Sequence, residues 1–341
     1  MFARGCFKIT CLSLLIFGLA LVSVNISRAQ LLPAISGINN VDLGSVKIIP
    51  FVQAGYKNIG LSLGLPFVNS NNPDFNPPPS LDLSFQDAGV WVGSVGLDTR
   101  FSPRIFVDFR AAANAAKNIS VVAGEDFLTW IDGAYAPLNW SGSQFQWWDV
   151  DGMAGYNFYK DCSAVLGLRY DYLTVGLKNP VDAQGNPLSN YYPGYANETD
   201  FGDVVIKTWI PYIGVQLNAR NYKALLIYSP LASPKLILPQ RSLYYRYRLL
   251  YSPWVWNANL EWNFARTGSF LECSFEYDAP VFKDLQLGIW VKGTWMKFIG
   301  SGNWDYSEYN TYPLGSASMD GSTGTLRTSS LGGGIAASLS F

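Results

Sequence analysis

The sequence predicts an all-β fold, namely a transmembrane antiparallel up-and-down β-barrel of about ten strands. Aromatic residues make up 15% of the 341 residues, and charged residues make up only 14%. After residue 29 no stretch reaches the ~20 apolar residues that a membrane-spanning helix needs. Instead, apolar and polar residues alternate along many segments, as they do in strands with one face toward lipid and one toward a lumen. A soluble periplasmic β-protein is the alternative.

The N-terminus has the features of a secretory signal peptide. Arg4 and Lys8 precede an apolar run over 11–24, and Ala29 follows as a small residue at a cleavage position. We therefore expect a signal peptide over 1–29, an N-terminal periplasmic lead-in over 30–45 and the barrel over 46–341. An uncleaved membrane anchor is the alternative for the first segment.

Charge and rare residues exclude several classes of function. The chain has 24 basic and 25 acidic residues, so no basic face for nucleic acid is expected. Cys162 and Cys273 lie far apart after the signal segment, and we expect free thiols, no metal site and no cofactor. The chain contains no histidine.

Charged residues recur on one face of successive predicted strands. The alternation is clear in 104–113, 144–158, 164–172, 270–278 and 284–299. We assign the apolar face to lipid and the charged face to the lumen. A buried lone charge is costly, so an interlocking ion network is expected there. Its predicted members are Asp98, Arg100, Arg104, Asp108, Arg110, Asp149, Asp151, Arg169, Asp171, Glu272, Glu276 and Lys292.

The connections between predicted strands alternate in length, which is typical of outer-membrane barrels with periplasmic turns and extracellular loops. Short turns are predicted near 101–104, 160–163, 218–222 and 279–284. Long loops are predicted at 67–86, 117–143, 179–202, 241–266 and 301–328. The segment 242–264 alternates weakly, so it forms either an extracellular hairpin above ten strands or an eleventh and twelfth strand.

The C-terminal segment "GGGIAASLSF" ends in a strand pattern. Its apolar residues are Ile335, Ala337, Leu339 and Phe341. We expect this strand to close the barrel by pairing with the first strand near 46–60. A terminal Phe on such a strand resembles the signal that barrel-assembly machinery recognises.

Two segments resemble the C-terminal half of the omptin family of ten-stranded outer-membrane proteases. They are "IPYIGV" over 210–215 and "SFLECSFEYDAPVFKDLQLGIWVKGTWMKF" over 269–298, within a likeness that covers roughly 200–341. The resemblance implies a ten-stranded topology and, in that family, an Asp-His pair that activates water with two further aspartates. Asp149 and Asp151 resemble a carboxylate pair, but without histidine the likeness does not extend to the activity.

Two functions from different classes follow from this sequence. The first is a non-enzymatic outer-membrane barrel with a polar, side-chain-filled lumen, whose extracellular loops bind an unknown ligand or serve envelope structure. The second is a narrow monomeric channel for small solutes. A carboxylate-based or omptin-like hydrolase is a third, remote hypothesis. Expected partners are outer-membrane lipid and, during biogenesis in a Gram-negative bacterium, periplasmic chaperones and barrel-assembly machinery.

Overall fold

The computed structural model describes the chain from residue 46 to residue 339 with several gaps. The described ranges are 46–66, 80–115, 117–123, 130–131, 134–135, 139–178, 180–181, 184–186, 200–219, 221–238, 255–282, 284–309 and 313–339. The predicted signal peptide, the whole of the predicted lead-in, and Phe341 lie outside these residues. Within them, no helix is long and apolar enough to cross a membrane.

The described residues form fifteen strands. Their bounds are β1 Lys47–Pro66, β2 Ser80–Arg100, β3 Ile105–Asn114, β4 Lys117–Ala123, β5 Trp130–Ile131, β6 Ala134–Tyr135, β7 Asn139–Tyr159, β8 Cys162–Lys178, β9 Pro180–Val181, β10 Asp200–Ala219, β11 Tyr222–Ser229, β12 Ser233–Leu238, β13 Val255–Pro280, β14 Leu285–Tyr309 and β15 Pro313–Leu339.

The strands close into one antiparallel barrel, because β1 pairs with both β2 and β15. β3 and β4 follow each other between β2 and β7, and β11 and β12 follow each other between β10 and β13. Each of these two pairs is one interrupted strand of the wall, so the wall has ten strands and the ten-strand prediction is confirmed. The twelve-strand alternative is wrong, since Val255–Asn263 is the upper part of β13 opposite β14.

The short turns lie where the sequence predicts them. They join the end of β2 at Arg100 to β3, the end of β7 at Tyr159 to β8, the end of β10 at Ala219 to β11, and the end of β13 at Pro280 to β14. We call this end of the barrel the turn end and the opposite end the loop end. The predicted long loops are partly wrong: β2 already begins at Ser80, and β14 and β15 extend through most of 301–328. The hairpin β5–β6 and the short strand β9 lie within two of the predicted loops.

A belt of exposed apolar side chains surrounds the turn-end half of the barrel. On β10 it includes Ile213 and Val215, exposed by 64% and 52%, and on β14 it includes Ile289 and Val291, exposed by 56% and 50%. It extends from Trp209 to Leu217 on β10. That eight-residue step corresponds to roughly 20 Å along the barrel axis for a tilted strand. A continuous apolar surface of this height fits the hydrocarbon layer of a membrane.

Outward-facing aromatic rings mark the upper edge of this belt. Tyr56 and Trp91 meet edge to face with centroids 5.6 Å apart, and Tyr170 lies 4.7 Å from Trp209. Trp295 lies at the same edge on β14. Tyrosine and tryptophan favour membrane–water interfaces, so this girdle is the expected boundary between hydrocarbon and water.

Above the girdle the polarity of the wall reverses. The inward side chains become apolar and fully buried, as for Leu63, Phe145, Phe298 and Leu326. The outward side chains become polar; among them are Asn58, Ser62, Gln144, Gln146, Lys207, Lys297 and Arg327. The strands are 20 residues or longer at most wall positions, whereas a membrane-spanning strand needs about 9–11 residues. The loop-end half therefore resembles a water-soluble barrel with an apolar core. The predicted polar lumen is wrong for this half.

The closing strand β15 pairs with β1 and β14 on its two edges. Ile335 and Leu339 face outward and are 67% and 43% exposed, and Ala337 shares their face. The prediction that the last strand closes the barrel on the first is confirmed.

Candidate functional site

Charged side chains meet inside the barrel just below the level of the girdle. Strand register brings them together, because Asp151 lies opposite Arg169 and Asp149 lies opposite Asp171. We call the group the central charge cluster. Its members are Lys57, Arg110, Asp149, Asp151, Arg169, Asp171, Glu272 and Lys292.

Arg169 lies at the centre of the cluster and is only 2% exposed. Its guanidinium donates from Nε and Nη2 to Asp151 Oδ2, at 3.1 and 2.7 Å. On the other side Nη1 donates to Glu272 Oε2 at 2.6 Å, and Nη2 donates to Glu272 Oε1 at 3.1 Å. The planar guanidinium thus binds two carboxylates at once, which only an arginine fork can do with this geometry.

Further groups saturate the same two carboxylates. Tyr212 donates its hydroxyl to Asp151 Oδ1 at 2.7 Å. The Lys292 ammonium lies 2.8 Å from Glu272 Oε2. Neither carboxylate is left free to act as a base or a nucleophile on an incoming molecule.

The remaining members balance the charge. Arg110 Nη2 lies 3.7 Å from Asp149 Oδ2 and 3.6 Å from Asp151 Oδ2. The Lys57 ammonium lies 3.9 Å from the centroid of the Trp147 ring and interacts electrostatically with Asp149 and Asp171. Four cationic and four anionic side chains are therefore combined, and a buried cluster of this kind is tolerable only when its charges match.

A second tier of polar contacts lies closer to the turn end. Lys223 Nζ is 2.9 Å from Asp108 Oδ2, and this ion pair joins β11 to β3 across the lumen. Gln53 donates to Glu276 at 2.7 Å and accepts from Ser94 at 3.0 Å. The Lys223–Asp108 and Gln53–Glu276 contacts join strands that are not neighbours, so they fill the lumen below the central charge cluster, whereas Ser94 lies beside Gln53 on the adjacent strand.

The structure places the twelve sequence-predicted network residues at three levels. Seven lie in the central charge cluster, namely Arg110, Asp149, Asp151, Arg169, Asp171, Glu272 and Lys292. Asp98, Asp108 and Glu276 belong to the lower tier, and Arg100 contacts Asp98 at 3.5 Å with half of its side chain exposed. Arg104 is exposed in the turn at 101–104 and takes no part in either group.

Several lumen residues were missed from the sequence. Lys57 follows Gln53 and Gly55 on the inward face of β1, and that alternation could have revealed it. Lys223 lies one residue into β11, directly after a predicted turn, where too few residues precede it to establish a face. Tyr212 has a largely apolar ring, and only the hydrogen bond from its hydroxyl to Asp151 shows that it belongs to the polar lumen.

A glycine-lined hollow lies beside the cluster. On β15, Gly332 lies between Lys57 and Lys292, and Gly334 lies between Gly55 and Trp290. A Cβ on Gly334 would meet the Ala54 carbonyl at 2.0 Å, whereas a Cβ on Gly93 would meet nothing within 4 Å. The remaining cavity has a volume of about 40 Å³, which is room for a few water molecules.

Two residue types that commonly carry catalysis and metal binding can be placed directly. The chain contains no histidine. Within the described ranges no group of three or more metal-binding side chains comes together. Cys162 and Cys273 are both free thiols in the structure, as predicted.

Comparisons with known proteins bear on the fold. No protein-family model matches the chain, and no curated protein matches its sequence. The crystal structure of the outer membrane protease OmpT from Escherichia coli matches 89% of this chain and 100% of its own, at 11% identity and a TM-score of 0.58. The fold is that of an outer-membrane β-barrel.

Two other solved structures match with lower TM-scores. The toluene transporter TodX from P. putida matches 87% of this chain and 90% of its own at 10% identity, with a TM-score of 0.32. The translocator domain of the autotransporter NalP from Neisseria meningitidis matches 88% of this chain and 91% of its own at 8% identity, also with 0.32. The predicted omptin-like topology is confirmed, and at this identity the OmpT match concerns the fold alone.

Proposed function

We propose that this chain is an integral outer-membrane protein whose barrel is a closed, non-enzymatic scaffold with its function at the loop end. The observation that carries the proposal is the cross-lumen ion pairing of Arg169 with Glu272. Above it lies the apolar core of the loop-end half, and below it the contacts of Lys223 and Gln53 cross the lumen. A solute would have to break all three layers to pass.

The same geometry supports a non-enzymatic role. Two carboxylate pairs, Asp149 with Asp151 and Glu272 with Glu276, could in principle flank a sugar. Arg169 occupies one member of each pair, Asp151 and Glu272. Glycosidases need one carboxylic acid and one free carboxylate at a substrate. A peptidase of the omptin type needs histidine, which this chain lacks.

Planar-bilayer recording of the refolded protein tests the closed scaffold. We expect no conductance, because the lumen is filled by paired charges and apolar side chains. Insertion is verified in parallel by quenching of belt tryptophans with lipids brominated on their acyl chains. Steady ohmic steps from inserted protein would contradict the proposal and favour the narrow channel.

The narrow channel is the second candidate, and the glycine-lined hollow favours it. A few waters beside Lys57, Arg110 and Lys292 could form the start of a polar path toward the turn end. The channel predicts that enlarging this hollow produces measurable current. The variant Trp290→Ala removes one of the two tryptophan side chains in its lining, and silence from this variant would count against the channel.

The hydrolase hypothesis is tested separately. Peptide and sugar-substrate panels should give no turnover with the refolded protein. If turnover were found and Asp149→Asn abolished it, the non-enzymatic assignment would be wrong. For export, we propose that the signal peptide is removed after Ala29, so N-terminal sequencing of the outer-membrane protein should begin at Gln30.

A further inference from the structure

Two cations lie side by side on the outer wall just above the aromatic girdle. Lys297 of β14 is directly opposite Arg327 of β15. Both face outward, and Arg327 is exposed. Like charges directly opposite each other on one sheet face repel and destabilise the pair. The wall therefore carries a local concentration of positive charge that calls for a counter-ion.

The surrounding row adds hydrogen-bonding hydroxyls. Ser269 of β13 lies opposite Lys297, and Ser62 of β1 lies opposite Arg327. Ser84 of β2 continues the row beside Ser62. Among the residues that the structure describes, no carboxylate forms an ion pair with Lys297 or Arg327. This five-strand row, which we call the cation row, has the side chains that bind a phosphate group.

Below the cation row, one outward position past Trp295 of the girdle, the apolar belt has an opening. Gly293 faces outward between Val291 and Trp295 on β14. A Cβ on Gly293 would lie 3.8 Å from both Leu331 Cδ1 and the Ser330 carbonyl oxygen, which is ordinary van der Waals contact, so the missing side chain leaves a shallow opening. Cys273, a small side chain, lies opposite Gly293 on β13. An acyl chain can lie in this opening with Trp295 and Leu331 beside it.

We propose that the cation row and the opening at Gly293 form a binding site for one phosphorylated lipid of the surrounding leaflet. The phosphate lies between Lys297 and Arg327 and accepts hydrogen bonds from the neighbouring hydroxyls. One acyl chain follows the wall past Gly293 into the belt. The two cations favour an anionic headgroup. Because the cation row lies just above the girdle, at the expected membrane surface, the phosphate is that of a membrane lipid.

This site rests only on the proposed insertion of the belt in a membrane and does not depend on whether the lumen conducts. It is also separate from the central charge cluster, since Lys297 and Arg327 face outward while the cluster faces inward. If the protein were found to conduct ions, the lipid proposal would still stand. If no lipid were bound at this site, the closed-lumen proposal would still stand.

Native mass spectrometry of the refolded protein in detergent tests the site. The probe is dioleoylphosphatidic acid, with dioleoylphosphatidylcholine as a competing lipid. We expect the protein to retain one phosphatidic acid in preference to phosphatidylcholine. The variants Lys297→Gln and Arg327→Gln should each lower retention about fivefold, as loss of one cation near a charged headgroup implies.

Two variants separate the parts of the site. Gly293→Leu fills the opening without changing charge, and it should lower retention of the lipid while the protein folds normally. The double variant Arg104→Gln, Lys160→Gln removes two exposed cations at the turn end and should leave retention unchanged. This control removes the same number of positive charges as the Lys297→Gln, Arg327→Gln double variant. All four cations are exposed or half-exposed.

Three outcomes would overturn the proposal. The first is equal retention by the Lys297→Gln, Arg327→Gln double variant and the unmodified protein. The second is an equal loss from the turn-end control, which would indicate non-specific attraction. The third is complete displacement of the lipid by an equal concentration of inorganic phosphate, which would reduce the site to ion binding.

Discussion

Arg169 and Glu272 are 103 residues apart in the sequence and form a two-point ion pair inside the barrel, with N–O distances of 2.6 and 3.1 Å. The pair joins β8 to β13, which are not neighbours in the wall. It therefore connects two parts of the wall through the lumen, in addition to the ladder of backbone hydrogen bonds.

Replacing Arg169 by Met should lower the free energy of unfolding by about 3–5 kcal/mol, because Asp151 and Glu272 then remain buried without a partner. The double variant Arg169→Met, Glu272→Gln should lose less than the sum of the two single variants. Urea unfolding of the refolded barrel, followed by tryptophan fluorescence, measures these values. The exposed turn residue Arg104 is the control, and Arg104→Met should change stability by less than about 0.5 kcal/mol. Strict additivity of the two lumen variants would contradict the ion pair.

Gly334→Ala should prevent normal folding, whereas Gly93→Ala should be nearly neutral. A Cβ on Gly334 would lie 2.0 Å from the Ala54 carbonyl oxygen and 2.5 Å from Gly55 Cα, and these β1 backbone atoms cannot move aside as a flexible side chain could. A Cβ on Gly93 enters open space. The heat-modifiable migration of the folded barrel on gels reports the outcome. A fully folded Gly334→Ala barrel would show that β15 and β1 are less closely packed than described.

Val291→Arg should destabilise the inserted barrel by about 2–4 kcal/mol, because a charge then faces the middle of the hydrocarbon layer. Gln146→Arg is the matched control, since Gln146 is exposed on the outer wall of β7 above the girdle and away from the cation row. It should have little effect. Unfolding from lipid vesicles in urea gives both values, and equal effects of the two variants would place the belt elsewhere on the wall.

Phe341→Ala should impair assembly in the cell more than it lowers the stability of the folded barrel. The terminal aromatic residue of a closing strand resembles the signal read by barrel-assembly machinery. Surface levels measured by protease shaving should fall, while the refolded protein should unfold at nearly the same urea concentration. The control is Phe282→Ala, which removes an aromatic ring at the turn end. The Phe282 side chain is 71% exposed. Normal surface levels of the Phe341→Ala variant would show that the terminal Phe is not part of the assembly signal.

The local pattern of the sequence was enough to predict the wall and the turn end. Strand residues alternate faces by geometry alone, so Leu287, Ile289 and Val291 had to share a face whatever the rest of the chain did. The turn at 101–104 could also be predicted from the local pattern, because Pro103 and the flanking polar residues interrupt the alternation. Closure of β15 on β1 followed from the need to leave no open edge in lipid.

The pairings across the lumen and the reversal of polarity above the girdle were decided by the tertiary structure. Lys223 and Asp108 are 115 residues apart, and no local pattern states that two inward faces meet at the same height. Successive side chains keep alternating between the two faces through the girdle, but on β1 the apolar residues move there from the outer face (Val52, Tyr56) to the inner face (Ile59, Leu63). Whether the apolar face of a segment such as 57–63 points outward or inward therefore depends on its position along the barrel axis. That position is fixed by the register of all ten strands together.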